Sequence, residues 1–198
     1  MSGSGYAGRL RIGVSEDLAG GWLPGILHRF AAPHPALRLE LEIGIGSRLF
    51  RMLEDERLDF VVGGSCQQDA RGWRLWQEPL VWASSENAEL SEPLPLAFFP
   101  EPCPYREAAL LVLARSRRKW RIACVSHSMA GVLAAALAGL AATPVPQSAL
   151  RPGLRVLRDE EGLPALPHVD YVIRLRSQER RKPVLALAEL IRTSSGRL

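Results

Sequence analysis

The stretch Arg9 to Leu18, RLRIGVSEDL, limits what this chain can fold into more than any other. Leu10, Ile12 and Val14 alternate with polar or small residues, the period of a half-buried strand. Ser15, Glu16 and Asp17 follow at once, and such side chains satisfy the free N–H groups of a starting helix. A strand running straight into a helix opens an α/β layer, and strand ends of that kind tend to hold small molecules. Ser15 to Leu18 is therefore expected to form one wall of a pocket, in a domain that senses rather than catalyses.

The pattern continues downstream. Leu18, Trp22, Leu23, Ile26, Leu27 and Phe30 recur at helical spacing, and Ala31-Ala32-Pro33-His34-Pro35 ends that helix because proline cannot continue it. Leu37, Leu39, Leu41 and Ile43 alternate as a second strand. Gly44-Ile45-Gly46 makes a turn, with Ser47 as N-cap of a short helix through Leu49, Phe50 and Leu53. Arg57 to Val62 reads as a third strand. This β-α-β-α-β order predicts a parallel sheet with right-handed crossovers.

Two short extended segments follow, Trp73 to Trp76 and Pro79 to Ser84. A second α/β series then begins at Leu94 to Phe99, with a helix over Tyr105 to Arg115 and a strand over Trp120 to Val125. Ser126-His127-Ser128 leads into a helix carrying Val132, Leu133, Ala136, Leu137 and Leu140. Thr143 to Pro146, Leu154 to Leu157 and Val169 to Leu175 are extended, and a last helix covers Lys182 to Arg192. Two lobes are expected, the first from residues 9–83 and 158–198, the second from 84–157. The joining strands would be Val81 to Ser84 and Leu154 to Leu157, and the cleft would collect strand ends from both sides. Residues 1–8, opening MSGSG, are expected to be an appended leader without fixed structure.

Composition narrows the function. Of 198 residues, 47% are hydrophobic and 23% charged, an ordinary globular balance with enough chain to bury a core. The net charge of +4 is too small to argue for nucleic acid by itself. Cys66, Cys103 and Cys124 are odd in number and in no CxxC spacing, which fits free thiols in a reducing cytoplasm. No apolar run reaches the roughly 18 residues of a membrane span.

Catalytic and cofactor patterns are not found. Gly44-x-Gly46 is followed by Leu49 where a dinucleotide fingerprint needs glycine, and there is no GxxxxGK[ST] phosphate loop. His28, His34, His127 and His168 are scattered, so no metal site and no cofactor are expected. Ser126-His127 lacks a GxSxG frame and reads as helix capping rather than as a nucleophile pair. Glu16 and Asp17 either complement the dipole of the helix they start or face a ligand. The runs Arg115 to Lys119 and Arg180 to Lys182 read as solvated faces. The five tryptophans (Trp22, Trp73, Trp76, Trp82 and Trp120) read as core or interface.

In order, these segments resemble the effector-binding domain of LysR-type transcriptional regulators. The marks are a strand-helix unit ending F-x-x-x-x-P (Phe30 to Pro35), a second strand leading to Gly46-Ser47, and L-x-x-x-x-LD-F-V-V (Leu53 to Val62). Further on come EPLVW, FFPEPCPYR, VSHSMAGVLAAALAGLAATPVPQSAL, LRVL and LPALPHVDYVIRL; the likeness runs from Arg9 to Thr193. It implies a two-lobed α/β fold of the type 2 periplasmic-binding-protein kind, each lobe a mostly parallel sheet flanked by helices. It also implies a small-molecule effector in the interlobe cleft, a homodimer or dimer of dimers, a cytoplasmic location, and operator DNA bound only through an N-terminal winged helix-turn-helix outside this chain.

Carried over position by position, the effector walls would be Ser15, Glu16, Asp17, Leu18 and Ser47 from one lobe. Phe99, Pro100, Glu101, Ser126, His127, Ser128 and Val145 would come from the other. Two departures stand out. Gly139-Leu140-Ala141-Ala142 replaces the usual Gly-Leu-Gly, and Glu16-Asp17 adds negative charge where many members bind carboxylates. A neutral or amine-bearing effector is expected if those side chains face it. A transport-type solute-binding protein is the alternative on the same fold, and no constellation of acid, base and nucleophile argues for an enzyme.

Overall fold

The computed structural model describes residues 5–21, 23–66, 72–157 and 161–194. The chain forms two compact units, Met1–Trp76 with Asp170–Leu198, and Gln77–Val169.

The first unit is built on the predicted β-α-β-α-β order. β1 (Gly8–Ser15) pairs in parallel with β2 (Leu37–Gly44) and with β3 (Phe60–Ser65). The returning strand β9 (His168–Leu175) lies antiparallel to β3, giving the order β2-β1-β3-β9. β1 and β3 are the inner strands, and Leu10, Ile12, Val14, Phe60, Val61 and Val62 are buried. α3 (Gly46–Glu54) covers one face through Leu49, Met52 and Leu53, which cluster with Leu58 and Val61. The C-terminal helix α6 (Lys182–Ser194) buries Val184, Leu187, Ala188 and Ile191 on one stripe, as its spacing predicted.

The single helix expected from Leu18 to Phe30 is two, α1 (Glu16–Ala19) and α2 (Leu23–Ala31). Gly20-Gly21 separates them, since two glycines in succession give a helix little to propagate on. Trp22 lies outside the described residues, as do Met1 to Ser4. The rest of the expected leader is part of the fold. Tyr6 stacks on Phe30 and meets the His34 ring at a tilt, its N–H donates to His34 Nδ1, and Gly8 begins β1.

In the second unit, β5 (Leu94–Phe98) is fully buried and runs parallel to β6 (Trp120–Val125). The long strand β4 (Trp73–Ser85) pairs antiparallel with β7 (Thr143–Pro146) and β8 (Leu154–Val156). β4 replaces the two short segments read from sequence. α4 (Pro104–Ala114) starts on proline, which fits a first helical turn, and α5 (Met129–Leu137) follows β6. Leu140 falls past the end of α5, beyond the left-handed Gly139.

The chain crosses between units at 76/77 in β4 and 169/170 in β9, not at 83/84 and 157/158. Core contacts explain the shift. Leu80 to Ala83 pair with β7, while Leu157 and Leu163 pack with Trp82, Leu94, Leu96 and Phe98. Trp82 Nε1 donates to the Pro164 carbonyl, which fixes the 163–167 segment to the second unit.

The basic runs are not wholly solvated. Arg181 reaches two buried carboxylates, Asp59 at 2.5 Å and Glu179 at 2.9 Å. Arg11 adds a 2.9 Å contact to Asp59 and Arg176 one of 2.9 Å to Glu179. Burial pushes the Glu179 carboxyl up, but hydrogen bonds from the Arg181 guanidinium and the Arg180 and Arg181 N–H groups, with the Arg181 charge, hold it at about 2. In the second unit Arg118 pairs with Glu92 at 3.1 Å and donates to the Glu161 carbonyl.

Candidate functional site

Parallel β1 and β2 end together, with Ser15 opposite Gly44, so both strands release their chains into helices at one edge. Ser15 is 4% exposed and its hydroxyl has no partner among the described residues. It holds the N-cap position of α1 without making a side-chain cap. Glu16 and Asp17 occupy the first turn, and Leu18 is buried beneath them. Asp17 Oδ2 accepts a hydrogen bond from the Tyr171 hydroxyl. The Tyr171 ring is fully buried and stacks on Trp76 with centroids 4.6 Å apart and planes 26° from parallel.

Ser47 is not the N-cap of α3. Ile45 holds that position without a side-chain bond, and Ser47 lies half-buried in the first turn. Gly46, the first helical residue, packs closely on β3, since a Cβ there would stand 3.2 Å from the Gly64 carbonyl oxygen. The helix starts two residues earlier than a Ser47 cap would place it.

The second unit assembles most of the other expected residues at the ends of β5 and β6. Ser126 N–H donates to the Phe98 carbonyl at 3.0 Å, so Phe99 and Ser126 leave adjacent strands together. Ser128 is the N-cap of α5, its Oγ accepting from Gly131 N–H at 3.2 Å. Ser126 supports it: its Oγ accepts from Ser128 N–H and donates to the Ser128 carbonyl, both at 3.2 Å. The Ser126 hydroxyl thus holds the turn that leads into α5. His127 projects outward from that turn and is exposed.

Arg106 of α4 organises the facing loop. It donates to the Phe99 carbonyl at 3.2 Å, pairs with Glu101 at 2.9 Å and lies over the Phe98 ring at 5.7 Å. Phe99 is buried, Pro100 half-buried and Glu101 exposed. Val145 is wholly buried in β7 opposite Val81, so it supports the unit's interior. Sequence reasoning did not join Tyr171, Trp76 or Arg106 to these residues. Arg106 closes the FFPEPCPYR segment and was within reach, whereas Tyr171 is 154 residues from Asp17.

Two units, each presenting helix starts and serine hydroxyls at the ends of its strands, define a small-molecule-binding α/β fold. A family model for the LysR substrate binding domain matches residues 3–196, so the chain belongs to that family. It is 34% identical over 168 residues to the HTH-type transcriptional regulator PecT of Dickeya dadantii (strain 3937), covering 84% of this chain and 53% of that protein. It is 30% identical over 194 residues to the HTH-type transcriptional regulator DgdR of Burkholderia cepacia, covering 97% and 66%. The chain thus spans about half to two thirds of the length of these relatives.

Among solved structures, the bromide-bound regulatory domain of HypT from Salmonella typhimurium is similar with TM-score 0.78 and 16% identity, covering 99% of this chain and 100% of that one. The effector binding domain of QuiR in complex with shikimate gives TM-score 0.73 and 13% identity, covering 97% and 99%. The fold is the periplasmic-binding-protein-like α/β fold of LysR effector-binding domains.

Proposed function

We propose that this chain is the ligand-sensing part of a LysR-type transcriptional regulator. The candidate effector contacts are Ser15 to Leu18 and Ser47 in the first unit, and Phe99 to Glu101 with Ser126 to Ser128 in the second. The observation that carries this reading is the buried, unpartnered Ser15 hydroxyl at the end of β1, because a buried polar group without a partner is costly unless something binds it. Membership of the LysR family and two relatives that are HTH-type regulators favour sensing over transport.

The effector class follows from the charge at this helix start. Glu16 and Asp17 place two carboxylates in the first turn after β1, and a charge-assisted bond from an ammonium to a carboxylate is strong. The effector is therefore neutral or carries an amine. Thermal-shift screening of small amines, neutral compounds and acids tests this: stabilisation by amines or neutral compounds supports it, and stabilisation by simple dicarboxylates alone overturns it.

The regulator works as a homodimer or a dimer of dimers in the cytoplasm, and DNA is bound by a winged-helix segment outside this chain. Exposed apolar rows on edge strands, Leu41 and Ile43 on β2 and Trp120, Ile122 and Val125 on β6, fit burial against a second copy. Sedimentation at micromolar concentration reads this directly. Effector binding changes transcription only if it favours one conformational state over another.

A further inference from the structure

The turn from α4 into β6 gathers positive charge that the fold leaves uncompensated. Residues 115–121 read Arg-Ser-Arg-Arg-Lys-Trp-Arg, with a cation at five of seven positions. Hydrogen bonds hold this turn in shape. Ser116 donates its N–H and its hydroxyl to the Leu113 carbonyl, at 3.0 and 2.9 Å, and Arg118 N–H donates to Ser116 Oγ at 3.3 Å. Leu94 N–H donates to the Lys119 carbonyl at 2.9 Å, which joins the run to the ladder of β5 and β6.

Arg118 is the cation that faces inward. Its side chain is 17% exposed, pairs with Glu92 and donates to the Glu161 carbonyl. Glu89 lines the same surface hollow. Arg117 and Lys119 on either side are exposed, as are Arg115 at the end of α4 and Arg121 on β6. Among the described residues, none of these four side chains makes a hydrogen bond or ion pair. The exposed arginines at the start of β1 and β2 differ, since Arg9 and Arg38 both reach Glu40. Lys119 and Arg121 stand two residues apart along an extended chain, about 7 Å. A row of fixed, uncompensated cations fits the repeating charge of a nucleic-acid strand better than a single small anion.

We propose that Arg115, Arg117, Lys119 and Arg121 contact the phosphate backbone of duplex DNA. The proposal rests on the regulator reading above, which brings duplex DNA to the same molecule through the winged-helix segment. An acidic protein surface presents carboxylates at irregular intervals, so alternate cations at 117, 119 and 121 favour a strand of phosphates. Such contacts position a protein on DNA without reading bases. The face therefore adds affinity and leaves sequence choice to the winged helix.

Fluorescence anisotropy of a short labelled duplex of arbitrary sequence, titrated with the purified chain, tests this. Four phosphate contacts give a slope of about −3.6 for log K against log salt, a loss of roughly a hundredfold between about 50 and 200 mM. Arg117→Gln/Lys119→Gln should bring the slope to about −1.8, and Arg117→Glu/Lys119→Glu should weaken binding by about tenfold or more at the lower salt. Arg115 is kept in both, because a cation there also favours the helix end. Arg51→Glu/Arg57→Glu alters net charge equally at exposed positions of the first unit, and should stay near wild type. Melting temperatures are read alongside, and the glutamine variant carries the test if charge reversal lowers stability.

No binding at about 50 mM salt overturns the proposal, as does an equal loss in the Arg51/Arg57 control. Tighter binding of labelled polyglutamate than of the duplex marks an acidic protein as the partner, and also overturns it. Failure of the sensing reading appears separately, as no stabilising compound in a thermal-shift screen that contains no DNA.

Discussion

Replacing Glu179 by Gln should expose how the first unit is held together, and its cost can be worked from the structure. The Glu179 side chain is 1% exposed. Its carboxylate accepts from Arg176, from the Arg180 and Arg181 backbone N–H groups, and from two nitrogens of the Arg181 guanidinium, at 2.8–3.1 Å. Glutamine keeps the shape, removes the charge, and turns an NH2 group toward guanidinium donors. Breaking a buried ion pair from one side costs about 3–5 kcal/mol.

Titration gives a second route to the same figure. The carboxyl lies at about 2 in the fold against an ordinary 4.5, a difference worth about 3 kcal/mol. Because the folded value is the lower one, this stability is fully present above pH 4.5 and is lost as pH falls toward 2. Urea unfolding of both proteins from pH 7 to pH 3 is the assay. The wild type should lead Glu179→Gln by about 3 kcal/mol at pH 7, and the lead should shrink by about 2 kcal/mol between pH 5 and pH 3. A lead below about 1 kcal/mol, or one that does not change with pH, refutes the reasoning.

Three further substitutions have defined outcomes. Ser128→Ala removes the α5 N-cap and should lower stability by about 1 kcal/mol in urea unfolding, with far-UV circular dichroism nearly unchanged. Gly131→Ala places a Cβ 2.2 Å from Ser126 Oγ, so it should displace the Ser126–Ser128 turn and speed amide exchange at residues 126–131. Gly13→Ala puts a Cβ 2.8 Å from Leu58 Cδ1 and 3.0 Å from Val61 Cγ2. Overpacking there should cost about 1–3 kcal/mol, measured as a lowered melting temperature.

Local signals in the sequence carried most of the first unit. Alternation placed β1 and β2, and proline after Phe30 ended α2, because these features act within a few residues. Where tertiary contacts decide, the sequence was less informative. Trp73 to Ser85 reads as two segments around Gln77-Glu78-Pro79, yet the backbone continues through them as one strand, β4, whose pairing with β7 and β8 covers residues 80–85. Arg181 sits in a basic run that looks solvated, and only the fold shows Asp59 and Glu179 beside it. The backbone of the candidate site was legible as strand ends and helix starts. The contact that gives Asp17 a partner was not, since no spacing rule joins residue 17 to residue 171.

The central claim is the proposal that Ser15 to Leu18 contact a small-molecule effector. Hydrogen-exchange mass spectrometry on the purified chain, with and without a compound found by thermal shift, tests it most directly. Protection is predicted in peptides covering residues 12–19. Binding with no protection there would contradict it.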